Sequence, residues 1–482
     1  MKFLQWEKDE LKFKREKVLL FIEGILCVIL LVSLCFNNNV WWDEASTIDL
    51  VINNTWKEIL LYTAKDVHPP LYYFAAKAAV IIFGNSLFVI KMVSVFANIA
   101  MIVLGITKIY KRFGLKAASL FIFLSCFAPQ MAVHGVMVRM YSWATFFILA
   151  SAVYGYEALC DNQKSDWILF VLFSLGGVYT LYFACISISC IYLLVLIEIA
   201  VRQRKLLKRF WCAALGTTAG YLPWLYIFFR MTLVGLGGNQ ENTEGETIGI
   251  LFRDFWRWAF DCNIKGDTLI YGGLVLLALF GVLLYNRKKQ GKTGFEFFFV
   301  LMLCATPFYT IILGTIMNHM AGRMLLNRYI EPSLILVWLA CAIGLSRYKN
   351  RLYYMAFACL ILLGVENYRF VYHDEYDIAP LIHETEDFIE TRMEPGDVVA
   401  YELEPYEVMY AYYMPQQELV YYKDLDLKEY LGKSFWYIDA WGGYFDAETV
   451  EDYQLQKEEC GNFGIQSMDF KIYRITVNGD GK

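Results

Sequence analysis

Long apolar runs recur through the first three quarters of the chain, and they constrain its fold more than any other feature. Several reach the ~20 residues that a helix needs to cross the hydrocarbon core of a bilayer. Backbone polar groups inside a bilayer must be satisfied within their own segment, so each run predicts an α-helix. A hydropathy reading places about 11 transmembrane helices, at residues 18–36, 88–107, 117–129, 140–157, 167–180, 183–200, 210–229, 267–285, 295–316, 329–346 and 352–366.

Lys and Arg residues cluster on alternate loops between these runs, which predicts the orientation of the chain. The basic clusters lie at 2–17, 108–116, 202–209, 287–289 and 347–351. Because positively charged loops stay in the cytoplasm, the N-terminus is expected there, in a multi-pass protein of the cell membrane. The loops expected outside are 37–85, 130–139, 231–265 and 317–328. The apolar stretch 71–83 is too short to span, and we expect it to lie at the interface.

Charge divides the chain into two predicted domains. Residues 1–367 contain 34 Lys and Arg against 23 Asp and Glu, whereas residues 368–482 contain 9 against 25. The first part is the predicted transmembrane domain, and the acidic remainder is a predicted external domain. Helical periodicity at 382–393 and strand patterns at 398–401 and 471–477 predict a small soluble α/β fold for it. A packing or lid role and a direct acceptor-binding role both remain open.

An acidic pair, Asp43 and Glu44, follows the first apolar run directly. Trp41 and Trp42 precede it and are typical anchors at a membrane interface. A carboxylate held there is suited to accept the proton of an acceptor hydroxyl, so Asp43 is our candidate general base and Glu44 its catalytic neighbour. The alternative is that both carboxylates are merely solvated loop residues.

Three further segments carry cationic groups at predicted external helix ends. His68 stands before Pro69 and Pro70, which fix the backbone. Arg139 with Tyr141, and Arg328 with Tyr329, open two predicted spans, at the depth where a guanidinium meets lipid phosphate. Arginine and tyrosine at helix ends also anchor helices without any other role. Glu331 is a weaker candidate, because an ionisable group within a membrane span is a functional candidate by default. His134, beside the Arg139 segment, and His319, in the loop before Arg328, are weaker candidates still.

Seven short motifs occur in a fixed order between residues 18 and about 346. They are Trp42-Asp43-Glu44, His68-Pro69-Pro70-Leu71-Tyr72-Tyr73, Gly84-Asn85-Ser86, Arg139-Met140-Tyr141, Tyr179-Thr180-Leu181-Tyr182-Phe183, Tyr221-Leu222-Pro223-Trp224 and Arg328-Tyr329. Taken together, this set resembles the dolichyl-phosphate-mannose-protein mannosyltransferase-like group of bacterial glycosyltransferases.

The resemblance implies the membrane glycosyltransferase fold called GT-C, with a polyprenyl-phosphate sugar as the donor at the external face. It also implies that Asp43 is the base and that His68, Arg139 and Arg328 meet the lipid phosphate. Two positions depart from the family pattern, since Met137 stands where an acidic residue is common and Leu181 where a histidine is common. Both changes remove polar groups from the presumed sugar-binding side.

The sequence therefore predicts an inverting glycosyltransferase that moves a hexosyl or pentosyl unit to an external acceptor, which is a protein, a lipid or a wall polymer. The expected partners are this donor, this acceptor and the lipid bilayer, with no nucleic acid. No cofactor is required by the motifs, and a divalent metal stays open because no cluster shows metal-ligand spacing. The alternatives are a transporter or flippase of lipid-linked sugars, which is expected to have internal repeats, and an inactive scaffold.

Overall fold

The computed structural model describes residues 2–66, 68–237, 248–260, 266–289, 294–321, 327–465 and 468–479. The chain forms two compact units. The membrane unit comprises residues 1–35 and 55–371, and the C-terminal unit comprises residues 36–54 and 372–482. The loop after the first helix is therefore part of the second unit, although it is far from the C-terminus in sequence.

Most of the described chain is α-helical. The α-helices are, in chain order, α1 (Lys2–Ser33), α2 (Trp42–Asn53), α3 (Trp56–Thr63), α4 (Leu71–Phe83), α5 (Leu87–Leu104), α6 (Tyr110–Phe113), α7 (Leu115–Phe127), α8 (Met131–Val136), α9 (Tyr141–Asp161), α10 (Lys164–Val178), α11 (Tyr182–Arg202), α12 (Leu207–Gly237), α13 (Ile248–Ala259), α14 (Asp267–Lys288), α15 (Gly294–Ala321), α16 (Asn327–Ile330), α17 (Leu334–Ser346), α18 (Asn350–Tyr376), α19 (Ala379–Arg392), α20 (Glu407–Tyr413) and α21 (Ala447–Asp452).

Eight helical segments of the described chain are long and apolar enough to cross a membrane. They are Leu87–Phe113, Tyr141–Asp161, Tyr182–Arg202, Arg204–Arg230, Asp267–Lys288, Gly294–Met317, Asn327–Ser346 and Asn350–Arg392. The other three predicted spans fall on α1, α7 and α10, of which the last two are short helices. The polytopic helical fold is confirmed, whereas the total of about 11 spans stays a prediction.

Helix α17 lies at the centre of the membrane unit. Twelve of its thirteen residues are buried, and a helix that is apolar on every side belongs inside a bundle. It packs against α7, α14 and α15. The approach to α14 is close, because a Cβ atom added at Gly344 would clash with the backbone of Ala278. A glycine at this position lets the two backbones come together.

The C-terminal unit contains a five-stranded mixed sheet with the strand order β2-β1-β3-β5-β4. The strands are β1 (Val398–Tyr401), β2 (Glu418–Tyr421), β3 (Ser434–Asp439), β4 (Leu455–Ile465) and β5 (Met468–Val477). Strand β1 pairs in parallel with β2 and β3, whereas β5 is antiparallel to β3 and β4. Strand β4 forms one edge of the sheet and has a bulge between Glu459 and Gly461. The predicted helix and both predicted strands are confirmed, as α19, β1 and β5.

Candidate active site

The first helix after α1 begins at the acidic pair. Helix α2 starts at Trp42, and the backbone N–H of Trp41 donates a hydrogen bond to the Glu44 carboxylate at 2.9 Å. This is the reciprocal half of a capping box, which satisfies a backbone donor that a helix start leaves unpaired. Glu44 is consequently buried, while Asp43 one position earlier is only half-buried. The two carboxylates therefore have different surroundings.

The segment that leads into α2 is fixed by Tyr413 at the end of α20. The Tyr413 hydroxyl donates to the backbone oxygen of Asn38 at 3.1 Å and accepts from the N–H of Val40 at 3.2 Å. The ring of Trp42 stacks on Tyr406, with centroids 5.8 Å apart and planes inclined by 23°. Because these contacts hold both the approach and the first turn of α2, the position of Asp43 is defined within the C-terminal unit.

In the membrane unit, His68 lies between the carboxylate of Asp66 and the guanidinium of Arg139. Its Nδ1 is 3.2 Å from Oδ2 of Asp66, and its Nε2 is 3.5 Å from Nη2 of Arg139. An arginine only donates hydrogen bonds, so a hydrogen bond between these two groups uses Nε2 of His68 as the acceptor. Both His68 and Arg139 are at least 95% buried.

Arg139 itself stands in the short non-helical link between α8 and α9. Three hydrogen bonds tie this region to α5. Ser94 Oγ donates to the backbone oxygen of Met137 at 2.5 Å, Asn98 Nδ2 donates to that of Gly135 at 3.2 Å, and Trp143 Nε1 donates to that of Val93 at 2.8 Å. The guanidinium lies near Tyr73, where it opposes the rise in the pKa of the tyrosine hydroxyl that burial causes.

Arg328 and Tyr329 lie on the one-turn helix α16. The Tyr329 ring contacts the His68 ring edge-on, with centroids 5.8 Å apart, and stacks on Phe183 at 5.3 Å. The Arg328 guanidinium carbon lies 5.8 Å from the centroid of the Tyr329 ring. A continuous set of contacts thus runs from Arg139 through His68 and Tyr329 to Arg328. The structure brings together four cationic and aromatic residues from three motifs that are separate in the sequence.

Tyr141, His134 and Glu331 form a second group. Nδ1 of His134 is 3.3 Å from Oε2 of Glu331, and both side chains are buried. The ring of His134 contacts Tyr141 at 5.0 Å and Trp258 at 6.3 Å between centroids. Glu331 belongs to the 3-10 turn Glu331–Ser333 that follows α16 directly. Tyr141 therefore contacts the His134 pair, which extends the site beyond the arginines.

Sequence reasoning missed Asp66, the partner of His68. The available signal was its position two residues before the histidine, a spacing too common in loops to single it out. It also named His134 and Glu331 separately, without pairing them. Among the described residues, no group of three or more His, Cys, Asp and Glu side chains is placed to hold a metal ion. His319 lies in a stretch whose side chains are outside the described part.

No protein-family model matches the sequence, and no curated protein matches it significantly. Solved structures nevertheless match nearly the whole chain, among them two crystal structures of one protein. One is the crystal structure of ArnT from Cupriavidus metallidurans in the apo state, with a TM-score of 0.62 and 10% sequence identity, covering 95% of this chain and 97% of that one. The other is ArnT from the same organism bound to undecaprenyl phosphate, with a TM-score of 0.59, 12% identity and the same coverage.

At this level of identity the likeness is one of fold. It extends over the helices of the membrane unit and over the C-terminal unit, since only a few per cent of either chain is left out. The chain therefore has the fold of ArnT, which is the GT-C-like membrane fold that the sequence predicts.

Proposed function

We propose that this protein is a glycosyltransferase that moves one sugar from a polyprenyl-phosphate donor to an acceptor outside the cytoplasm. The observation that carries the proposal is the set of contacts from Arg139 through His68 and Tyr329 to Arg328, in which His68 and Arg139 are buried. Buried guanidinium groups are costly in a membrane protein, and their usual role there is to meet an anion. ArnT, which has the same fold, has been crystallised with undecaprenyl phosphate.

In this mechanism Arg139 and Arg328 stabilise the phosphate that leaves with the lipid. The phosphate gains negative charge as its bond to the sugar breaks, so fixed guanidinium groups lower the barrier more than they strengthen donor binding. The proposed role of His68 is to hold the Arg139 guanidinium, with Asp66 fixing the ring. Tyr329 and Tyr141 line the donor side as aromatic contacts.

Asp43 is the proposed general base, which removes the proton from the acceptor hydroxyl as the new bond forms. Direct attack from the face opposite the leaving phosphate inverts the sugar carbon. Glu44 supports this role by capping α2, because its carboxylate is used by the backbone of Trp41. We include both residues in the proposed site because they are adjacent in the chain.

The subfamily and the topology belong to the same proposal. The ordered motifs favour the mannosyltransferase-like group, with a cytoplasmic N-terminus and an external C-terminal domain beginning near residue 368. The acceptor is a protein, a lipid or a wall polymer. The lipid-linked-sugar transporter remains the rival function, since it also requires many spans and phosphate-binding arginines.

The deciding experiment uses membranes that contain the protein and a panel of radiolabelled polyprenyl-phosphate sugars. We expect label to move from one donor to an external acceptor, with free polyprenyl phosphate released in equal amount. Membranes that carry Arg139→Ala serve as the matched control and should release far less. Movement of intact donor across sealed vesicles without cleavage would replace the transferase with the transporter.

A further inference from the structure

The buried pair of His134 and Glu331 joins the two segments that carry the arginines. His134 is on α8, five residues before Arg139, and Glu331 follows Arg328 by three residues. The pair therefore connects α8, which precedes Arg139, to the turn that follows Arg328. The Oε2–Nδ1 separation of 3.3 Å makes this a side-chain contact between segments that are distant in the chain.

The pair is an unusual choice if stability is its only purpose. The exposed fractions of His134 and Glu331 are 6% and 0%. Burying two ionisable groups costs desolvation energy that their attraction often fails to recover, and apolar residues of similar size are frequently as stable. A polar contact at this place therefore indicates a requirement for defined geometry.

Contacts around the pair connect it to the segment that bears Arg139. His134 packs against the ring of Tyr141, which begins α9 two residues after Arg139. The other side of the same link region is held by Ser94 and Asn98 of α5. The segment that bears Arg139 is thus fixed to α5 on one side and to the start of α17, through Glu331, on the other.

We propose that His134 and Glu331 are positioning residues that set the separation of Arg139 and Arg328 for a single lipid phosphate. This inference rests on the proposed function, since it presumes that the two arginines share one phosphate. Bidentate recognition by guanidinium groups depends on geometry as well as charge. A change in their separation therefore weakens phosphate binding even when both arginines are present.

Helix α17 offers a matched control. The contact of Glu331 with His134 lies just before its start, and an ion pair, between Arg347 Nε and Glu296 Oε1 at 2.7 Å, lies just after its end. Both pairs tie the same helix to a neighbour, and both are mostly buried. Only the first touches the segments that carry the phosphate-binding arginines. Glu296→Gln thus removes a comparable contact at the far end.

The experiment measures the dissociation constant for undecaprenyl phosphate with the purified full-length protein in detergent micelles. The melting temperature of each variant is recorded alongside. His134→Gln and Glu331→Gln are each expected to weaken binding about tenfold. The double variant should bind no more weakly than either single variant, because both remove the same contact. Glu296→Gln should lower the melting temperature and leave the dissociation constant unchanged.

The outcomes separate this inference from the function on which it rests. If the wild type does not bind undecaprenyl phosphate, or if Arg139→Ala binds it normally, the donor site itself is wrong. If Arg139→Ala loses binding while His134→Gln and Glu331→Gln bind normally and are only less stable, the positioning role alone is overturned. Glu331→Asp keeps the charge with a shorter reach, is expected to give an intermediate constant, and replaces Glu331→Gln if that variant does not accumulate.

Discussion

The two units satisfy their buried charges in different ways. In the C-terminal unit, backbone N–H groups do so. The Glu402 carboxylate, which is 8% exposed, accepts hydrogen bonds from the backbone of Ala440, Trp441 and Gly443. In the membrane unit, side chains from segments distant in the chain do so in two cases, the contact of Arg139 with His68 and the pairing of Arg347 with Glu296.

The difference follows from the backbone. A membrane helix uses almost all of its own N–H groups internally, so an acid buried between helices finds few backbone donors. A sheet with connecting loops leaves N–H groups to spare, and a carboxylate can organise a loop by accepting from several of them. Charges in the C-terminal unit therefore mainly shape the chain locally, whereas those in the membrane unit link distant helices and are available for function.

Asp43 is the test of this contrast, because it lies in the C-terminal unit and is assigned a chemical role. Asp43→Asn keeps the shape and removes proton acceptance, so we expect sugar transfer to fall by roughly 10²–10⁴-fold. Donor cleavage assays on membranes measure it. The control is Asp49→Asn, an exposed acid on the same helix, which should transfer normally. Normal turnover in Asp43→Asn would move the base role to Glu44.

Arg328 provides a second test of this contrast, because it lies in the membrane unit, where charges are expected to serve function. Lysine keeps the charge without the planar fork, and alanine loses both. We expect transfer to decrease from wild type to Arg328→Lys to Arg328→Ala, with the last reduced by about 10²–10³-fold, as for the loss of one transition-state donor. The exposed Arg287 provides the control variant Arg287→Ala. Equal rates for all three proteins at equal expression would remove Arg328 from the mechanism.

Glu402 tests whether a buried charge in the C-terminal unit stabilises the local structure. Glu402→Ala leaves three backbone donors without their acceptor, and we expect a loss of about 3 kcal/mol in the free energy of unfolding of the C-terminal unit. Denaturation of the full-length protein followed by tryptophan fluorescence measures this loss. The neighbouring exposed Glu404 gives the control variant Glu404→Ala, expected to be neutral. A neutral Glu402→Ala would show that its loop is held by other contacts.

The smallest expected effect concerns the stacking of Trp42 on Tyr406. An aromatic pair of this kind contributes about 1 kcal/mol beyond its buried area. Trp42→Leu should loosen the first turn of α2 and increase amide hydrogen exchange there. Tyr406→Leu should do the same, and the double variant should add little to either. Fully additive changes would mean that the two rings act independently.

Much of the fold could be predicted because it depends on local pattern. Apolar runs define helices, and the short apolar run at 398–401 and the alternation in 471–477 define strands, without any knowledge of partners. The meeting of His68, Arg139 and Tyr329 was anticipated only in that their motifs share a predicted membrane face. The contact between His134 and Glu331 was not predictable, since no periodicity relates segments that are so far apart in the chain.

The position of the first loop was also beyond reach of the sequence. Hydropathy assigned 37–85 to the transmembrane domain because it lies between apolar runs, yet residues 36–54 pack with the C-terminal unit. The decisive contact is the Tyr413 hydroxyl with Val40 and Asn38, more than 370 residues away in sequence. One buried hydroxyl between two backbone groups leaves no recognisable mark in either segment.

The edge strand β4 also has a consequence for how the protein behaves in a crowded membrane. A strand at the edge of a sheet exposes backbone groups that can recruit a strand from another copy, which is a common start of aggregation. The exposed run Lys457, Glu458 and Glu459 places charges along β4, and the bulge after Glu459 interrupts its regular spacing. These features oppose the pairing of β4 with a strand from another copy.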